Sequence, residues 1–331
     1  MGHPYRIREI AVQAGLSERT VDRVLNDRGG VRASTVREVQ QAIADLDRQR
    51  TQLRLSGRTF MIDVVMQAPD RFYSAVREAL EAELPALRPA AVRARFHLRE
   101  TGAVEDMVAT LDRIRSRRCH GVILKAPDLP EVVTACWRLR AAGIPVVTLV
   151  TDLPGSQRLA YLGMDNRAAG ATAAYLMGQW LGDRPGNVLV TLSRGFFRGE
   201  EEREVGFRNA MRSRHPDRFL VEIDNTDGLD ETMRGLVRSA LDADAQIAAV
   251  YSIGGGNIAI VEAFATRGRT CGVFIAHDLD QDNTQLLRDG RISAVLHHDL
   301  NQDMRVDIAG RTFGPLLHPS RPTPLTIVNQ H

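Results

Sequence analysis

Residues 6–26 read RIREIAVQAGLSERTVDRVLN, and their spacing predicts two short helices joined by a tight turn. The apolar positions of the first helix recur every three or four residues, at Ile7, Ile10, Ala11 and Ala14. Gly15 supplies the turn, and Ser17 can cap the second helix with its side-chain oxygen. The buried face of the second helix would then consist of Val21, Val24 and Leu25.

The outward face of the second helix carries residue types that bind duplex DNA. An exposed arginine can donate two parallel hydrogen bonds to O6 and N7 of guanine, and Arg19 and Arg23 are placed for this contact. Ser17, Thr20 and Asn26 can hold phosphates. A helical hairpin with a solvated charged face is the alternative, because short apolar-periodic helix pairs are common.

The composition favours a globular protein of two or three domains. The chain has 331 residues, of which 44% are hydrophobic and 25% charged. Residues 1–59 carry 11 arginines against 7 acidic residues, so a basic segment precedes a slightly acidic remainder. No apolar run is long enough for a membrane span or a signal peptide, so we expect a cytoplasmic protein that does not associate with a membrane. The three cysteines lie far apart, which favours thiols over a disulfide or a zinc site.

The head is predicted to end near residue 46. A third helix begins near Ser34, because apolar residues continue at helical spacing as far as Leu46. We assign residues 1–46 to this helical head. Residues 47–59, DRQRTQLRLSGRT, lose the apolar period and predict a linker or hinge.

From residue 60 to residue 331, apolar runs typical of buried strands alternate with amphipathic helices, which we expect near residues 72–84, 103–117 and 129–142 in the first series. The first series reads FMIDVVMQA, VRARFHL, HGVILKAP and IPVVTLVTD, and the second occupies residues 187–193, 219–224, 247–253 and 271–277. This pattern predicts an α/β fold with two doubly wound parallel-sheet subdomains behind a small all-α head. We assign residues 60–162 and about 293–331 to the first subdomain, and residues 163–292 to the second.

Two such subdomains leave a cleft at the carboxyl ends of their strands, where open α/β sheets bind ligands. A polyhydroxylated ligand needs charged or amide partners for its hydroxyls and an aromatic ring for its apolar face. The candidate residues near strand ends are Phe72, Tyr73, Asp152, Asp165, Asn166, Arg203, Asn257 and Asp278.

A glycine-rich turn keeps a second function open. The pattern Gly254-x-Gly256-x-x-Ala259 follows a strand, begins a helix and precedes Asp278, so it imitates the fingerprint of a nucleotide or NAD site. A glycine-rich turn at a ligand cleft explains the same residues, and we favour it. No G-x-S-x-G or H-E-x-x-H motif is present. We therefore expect no enzyme activity, no cofactor and no metal.

The sequence resembles the lactose-repressor family of bacterial regulators. The resemblance is carried by IREIAVQAGLSERTVDRVLN, by VRASTVREVQQAIADL, and by a body whose spacing is similar to that of the periplasmic sugar-binding fold. It implies a sequence-specific transcription regulator, a repressor, that changes its DNA affinity when a sugar, polyol or sugar acid enters the cleft. The implied partners are double-stranded operator DNA and further copies of the chain, as a homodimer or a tetramer.

The resemblance also implies roles for individual residues. By position, the base-reading side chains are Glu18, Arg19 and Arg23, the backbone contacts are Ser17, Thr20 and Asn26, and the leucine that enters the minor groove is Leu55. Asp152, Arg203 and Asp278 are implied to hold the ligand, with Phe72 and Tyr73 as an aromatic pair. His298 stands where a glutamine is common. The chain departs from the family at the hinge, whose usual signature is missing, and at Gly255 and Gly256, where an Asn-Asp pair is usual.

Overall fold

The computed structural model describes residues 4–26, 28–55, 59–87, 91–193, 197–310 and 324–329. The chain divides into two compact units. The first, the head, comprises residues 1–60 together with 86–92, and the second, the body, comprises residues 61–85 and 93–331.

The head contains the predicted helix-turn-helix. Its helices are α1 (Ile7–Ala14), α2 (Glu18–Leu25) and α3 (Ala33–Leu55). They enclose a small core that consists of Ile10, Ala11, Val21, Val39 and Ala42. Gly15 ends α1 in the left-handed conformation, with φ 66°, which glycine adopts without steric cost. Ser17 caps α2, because its Oγ accepts a hydrogen bond from the Thr20 N–H at 3.1 Å.

Helix α3 is longer than the sequence predicted. It continues to Leu55, so residues 47–55 of the expected linker are helical. This stretch contains no glycine or proline, and its Arg, Gln and Leu residues favour helix even without an apolar stripe. Residues 56–58 and the side chain of Leu55 lie outside the described residues. The minor-groove contact of Leu55 therefore stays a prediction.

The first lobe of the body is built on a five-stranded sheet in the order β2-β1-β3-β4-β5. The strands are β1 (Thr59–Gln67), β2 (Ala91–Arg99), β3 (Gly121–Lys125), β4 (Val146–Leu149) and β5 (Ala160–Leu162). The pairings of β1 with β3, of β3 with β4 and of β4 with β5 are parallel. The helices of this lobe are α4 (Asp70–Glu83), α5 (Val104–Arg115) and α6 (Pro130–Ala141). Short 3-10 helices span Leu84–Leu87 and Pro154–Ser156.

The second lobe is built on a six-stranded sheet in the order β11-β10-β9-β8-β6-β7. Its strands are β6 (Asn187–Ser193), β7 (Leu220–Thr226), β8 (Ile247–Ser252), β9 (Val273–His277), β10 (Ala294–His297) and β11 (Thr326–Asn329). All described pairings are parallel except that of β10 with β11. The helices of this lobe are α7 (Asn166–Leu181), α8 (Arg198–Arg214), α9 (Asp230–Ala243), α10 (Asn257–Thr266) and α11 (Gln281–Arg288), and α12 (Leu300–Gly310) follows β10. The prediction of two parallel-sheet α/β subdomains is confirmed.

The residues from about 293 onward, which we assigned to the first subdomain, are divided between the two lobes. β10 and β11 belong to the second sheet, because β10 pairs in parallel with β9 and buries Val295 and Leu296. Helix α12 packs on α4 of the first lobe, where Arg305 donates hydrogen bonds to Glu83 at 2.8 and 3.0 Å. The four-residue strand β10 was too short for its pattern to predict.

Helices α7 and α8 pack with their backbones in contact. A Cβ added at Gly170 would lie 1.9 Å from the carbonyl oxygen of Arg203, and one added at Gly206 would lie 2.1 Å from that of Arg167. Each glycine therefore admits the other helix at a distance that no side chain allows. This close approach fixes the position of Arg203 on α8.

The cysteines are thiols in the structure. The three cysteines are free, and burial raises the pKa of each thiol to about 12. Among the described residues, no helix combines the length and the apolar character that a membrane span requires.

Candidate functional site

A cavity of about 60 Å³ lies between the two lobes of the body. Its lining includes residues at or just after the carboxyl ends of five strands: Ala68 follows β1, Lys125 ends β3, Val150 follows β4, Ile253 follows β8 and His277 ends β9. Open α/β sheets bind ligands at this edge. A space of this size holds only a few water molecules. A larger cavity of about 620 Å³ adjoins it and shares Ala68, Lys125 and Phe197 with it.

Arg203 of α8 presents an unused donor to this cleft. The residue is only 2% exposed, and its Nε donates to Oδ1 of Asn166 at 2.8 Å. Asn166 is itself held by bonds to the Val150 carbonyl at 3.2 Å and to the Tyr161 hydroxyl at 3.0 Å. The Nη2 atom of Arg203 is buried and has no partner among the described residues. A buried donor without a partner costs about 1–3 kcal/mol, which a ligand oxygen would recover.

His277 and Asp278 add two more buried atoms without a described partner, His277 Nδ1 and Asp278 Oδ1. The Nε2 of His277 lies 2.8 Å from the hydroxyl of Tyr251. Burial, assisted by the nearby charge of Arg203, lowers the pKa of His277 well below its usual value, so the imidazole is neutral. The side-chain amide of Asn283 donates to the carbonyls of His277 and Asp278, at 2.9 and 2.7 Å, and holds this corner in place.

The backbone is strained on both sides of the cleft. Val150 has φ 66° and Asp278 has φ 65°, and both lie just after a strand and line the cavity. A β-branched residue in the left-handed region is a true outlier. Such strain persists only where surrounding contacts impose it, and it concentrates at ligand sites.

Aromatic rings and a lysine form the other wall. Phe72 and Phe197 line the cavity, and the Lys125 Nζ lies 4.2 Å from the ring centre of Phe197 and 5.8 Å from that of Phe72. The same nitrogen donates to the Gln67 carbonyl at 3.1 Å. Desolvation is the main reason that the pKa of Lys125 is lowered. The wall thus offers apolar faces beside one cation.

An ion pair crosses the cleft. The Nε of Arg71 on α4 lies 3.0 Å from Oδ2 of Asp280 in the second lobe, and its Nη2 donates to the Gly228 carbonyl at 3.1 Å. Gly255 makes room for it, because a Cβ there would lie 2.2 Å from Arg71 Nη2. This contact joins the two lobes at the edge of the cavity.

Four of the nine predicted ligand contacts line the cavity, and they are Phe72, Arg203, Asn257 and Asp278. Asn257 is already bonded to Ser252 and Asn283, at 2.5 and 2.7 Å. Asn166 does not line the cavity but positions Arg203. His298 lines a neighbouring cavity.

The other three predicted contacts do not line the cleft. Tyr73 packs edge-on against Phe96, with ring centres 5.9 Å apart. Asp152 pairs with Arg158 and accepts bonds from Thr148 Oγ1 and the Leu153 N–H, at 2.9 and 2.8 Å. Asp165 caps α7 by accepting from the Ala168 N–H at 2.9 Å. Position near a strand end did not reveal which way these side chains point, because local caps and pairs compete for them.

Seven polar residues that line the cavity were not among the predicted contacts, and they are Arg71, Lys125, Thr151, Glu200, His277, Asp280 and Asn283. His277 and Lys125 are the last residues of their strands. The expectation that a ligand binds at the carboxyl ends of the strands could therefore have identified both. Arg71, Glu200 and Asn283 lie within the first turns of helices, and their sequence neighbourhood gives no such signal.

The glycine-rich turn at residues 254–256 packs against the protein itself. A Cβ at Gly254 would lie 2.5 Å from the Ser193 nitrogen, and one at Gly256 would lie 2.7 Å from Met233 Cβ. At the start of α10, the Ala259 N–H donates to the Asp230 carboxylate at 3.0 Å. A carboxylate thus occupies the helix terminus where a pyrophosphate would bind, which argues against the nucleotide alternative.

On the head, Glu18 and Arg19 of α2 are exposed, whereas Arg23 and Asn26 make contacts within the head. Arg23 donates to the Gly29 carbonyl at 2.8 Å. Asn26 donates to the carbonyl and carboxylate of Asp22, at 3.0 and 2.8 Å. Asp22 also pairs with Arg28 at 2.9 Å, so Arg28 offsets its charge beside any phosphate. Ser17 and Thr20 share a hydrogen bond of 2.8 Å between their hydroxyls.

The pH dependence of stability should reveal the buried carboxylate of Asp280. Burial raises the pKa of Asp280 to about 6 and outweighs the lowering effects of the Asn283 N–H and Arg71. The folded protein therefore holds this proton more tightly than the unfolded chain, and ionised Asp280 destabilises the fold as the pH rises through about 6. We expect the stability of Asp280→Asn relative to the natural protein to increase by about 1 kcal/mol from pH 5 to pH 7.5. Urea unfolding at both pH values measures this. If the relative stability of Asp280→Asn fell over this pH range, the ion pair with Arg71 would outweigh burial in its effect on the pKa of Asp280.

Comparison with known proteins gives matches for both parts of the chain. Residues 62–302 match the model of the periplasmic binding protein domain, and residues 6–49 match that of the bacterial regulatory proteins of the lacI family. The HTH-type transcriptional regulator MalR of Streptomyces coelicolor is 24% identical over 332 residues, which is 98% of this chain and 85% of that protein.

Solved structures share the fold of the body. GanP, a glucose-galactose binding protein from Geobacillus stearothermophilus, superposes with a TM-score of 0.73 at 18% identity, over 82% of this chain and 98% of that one. A putative LacI transcriptional regulator from Bacteroides fragilis superposes with a TM-score of 0.73 at 17% identity, over 82% of this chain and 97% of that one.

Proposed function

The chain belongs to the periplasmic binding protein domain family over residues 62–302, and its head matches the lacI family of bacterial regulatory proteins; from this we propose that the protein is a ligand-controlled DNA-binding repressor of transcription. The head binds operator DNA, and a small polyhydroxylated molecule in the interlobe cleft controls that binding. The protein acts in the cytoplasm as a homodimer or a tetramer, and performs no catalysis.

The observation that carries the effector proposal is the set of unpartnered atoms in the cleft. Arg203 Nη2 is a donor, Asp278 Oδ1 is an acceptor, and His277 Nδ1 is the free nitrogen of a neutral imidazole. A hydroxyl both donates and accepts, so a molecule with several hydroxyls can satisfy such a mixed set. Phe72 and Phe197 supply apolar surface for the carbon face of a carbohydrate.

A thermal-shift screen with neutral sugars, polyols and sugar acids tests the effector proposal. A ligand that binds only the folded protein raises its melting temperature by mass action. We expect at least one carbohydrate to do so, with NADH causing no shift. A response to NADH alone would instead support the nucleotide alternative.

The DNA-binding proposal predicts a specific effect of Arg19→Ala. Arg19 is exposed on α2, and loss of a bidentate contact to guanine should relax discrimination at one base pair by about 1–3 kcal/mol. The measurement is binding to single-base variants of an operator selected from random duplexes. Arg8→Ala, which removes an exposed arginine of α1, is the control and should keep the base preference. An unchanged base preference in Arg19→Ala would remove Arg19 from the recognition surface.

A further inference from the structure

A further cavity, which we call the side cavity, lies beside the interlobe cleft. Its volume is about 380 Å³, and it lies between α4 and the segment that leads from β10 into α12. The two spaces share Phe72, Asp278 and Asp280. Part of the wall is apolar and comes from Phe72, from the alanines of α4 and from two leucines. The side cavity is therefore adjacent to the cleft.

The charged groups of the side cavity are acidic. Four carboxylates line it, on Glu78, Asp278, Asp280 and Asp299. Asp280 is paired with Arg71, whereas Glu78 and Asp299 are exposed at the mouth. No lysine or arginine occurs among the described residues that line this space. Its electrostatic potential therefore favours a cation.

His298 is the buried polar group that faces the side cavity. The residue is 3% exposed, and its Nδ1 is hydrogen-bonded to the carboxylate of Asp303, which is also buried. Its Nε2 is buried and has no partner among the described residues. In the tautomer whose Nδ1–H donates to the Asp303 carboxylate, Nε2 is the acceptor nitrogen of the ring.

Two of the residues that line the side cavity thus carry a buried atom without a described partner, His298 Nε2 and Asp278 Oδ1. A group that contacts both must donate more than one hydrogen. An ammonium group has three N–H donors and a positive charge, whereas a hydroxyl has one donor and no charge. Hydrogen bonds from a charged donor are about twice as strong as neutral ones.

We propose that the side cavity binds a protonated primary amine, and that the effector is therefore an aminated carbohydrate. Its ammonium group lies between His298 and Asp278, with the carboxylates of Glu78 and Asp299 at the mouth, and its hydroxyls meet Arg203 in the cleft. This inference rests on the proposed function, because it names the chemical class of the effector for that same site.

Matched pairs of probes test the proposal on the full chain at pH 7. Glucosamine, galactosamine and mannosamine are each compared with glucose, galactose and mannose, by melting temperature and by calorimetric titration. We expect at least one amino sugar to bind 10-fold or more tightly than its neutral partner. In the double variant Glu78→Gln, Asp299→Asn this advantage should fall to 3-fold or less, because the cavity loses two negative charges. Glu81→Gln is the control, since Glu81 lies on the same helix outside the cavity, and it should keep the advantage.

Three results would overturn the inference: equal binding within every pair, binding of none of the amino sugars, or an advantage that survives in the double variant. The proposed function is decided separately, by selection of a specific operator. If an operator is found and a neutral sugar changes its affinity, the proposed function stands while the amine site fails. If no operator is found although an amino sugar binds with the expected advantage, the amine site stands and the proposed function fails.

Discussion

Arg203→Met is expected to abolish the response to the effector while the melting temperature of the ligand-free protein stays within about 2 °C of the original. The variant loses the charged donor that faces the ligand, which should weaken effector binding about 10- to 100-fold. Two opposing terms act on the ligand-free protein. The buried Nη2 without a partner disappears, but Asn166 Oδ1 loses its bond, and each change is about 1–3 kcal/mol.

The magnitude of the change in melting temperature separates a binding role from a structural one. If Arg203 mainly held the fold together, breaking its contact would cost about 3–5 kcal/mol and lower the melting temperature by roughly 10 °C. Arg212→Met makes the same substitution at an exposed position of α8 and should leave both stability and effector binding unchanged. Retained effector binding in Arg203→Met would place the ligand elsewhere.

Gly170→Ala should destabilise the body by about 3 kcal/mol or more, which corresponds to a fall of roughly 6–12 °C in melting temperature. The new Cβ would lie 1.9 Å from the Arg203 carbonyl oxygen and 2.8 Å from the Phe207 nitrogen. Both are backbone atoms, so α7 and α8 must move apart. The better helix propensity of alanine returns only about 1 kcal/mol. Differential scanning calorimetry measures the effect.

Gly235→Ala is the matched control for this substitution. Gly235 lies within α9, and a Cβ there meets no heavy atom within 4 Å. The same change should therefore stabilise the protein by about 0.5–1 kcal/mol. Opposite signs at the two positions are the expected pattern. A small effect at Gly170 would show that α7 and α8 are not in backbone contact in solution.

The sequence predicted the fold in detail because its apolar periods are regular. The helices expected near residues 72–84, 103–117 and 129–142 are α4, α5 and α6, within three residues at each end. The short strands β5, β10 and β11 were missed, since three or four residues are too few to establish a period. The helical extension of α3 was missed because propensity, not an apolar stripe, sustains it.

The cleft was less predictable than the fold, because chain position does not give side-chain direction. The expectation that a ligand binds at the carboxyl ends of the strands identified the correct edge of both sheets, and Arg203 and Asp278 line the cavity there. Asp152 lies at an equivalent place, yet Arg158, six residues further on, pairs with it. Arg71 reaches the cleft across the lobes to Asp280, a contact between residues far apart in the chain that no local pattern encodes.

The most direct test of the central claim, that a ligand in the interlobe cleft controls DNA binding, is the affinity of the full chain for its selected operator with and without the carbohydrate that raises the melting temperature most. Fluorescence anisotropy at fixed salt measures this affinity, since phosphate contacts make it strongly salt-dependent. We predict that the ligand changes the affinity at least 5-fold, and that Arg203→Met removes the change while it keeps the ligand-free affinity. A ligand that saturates the body and leaves operator affinity unaltered would contradict the account.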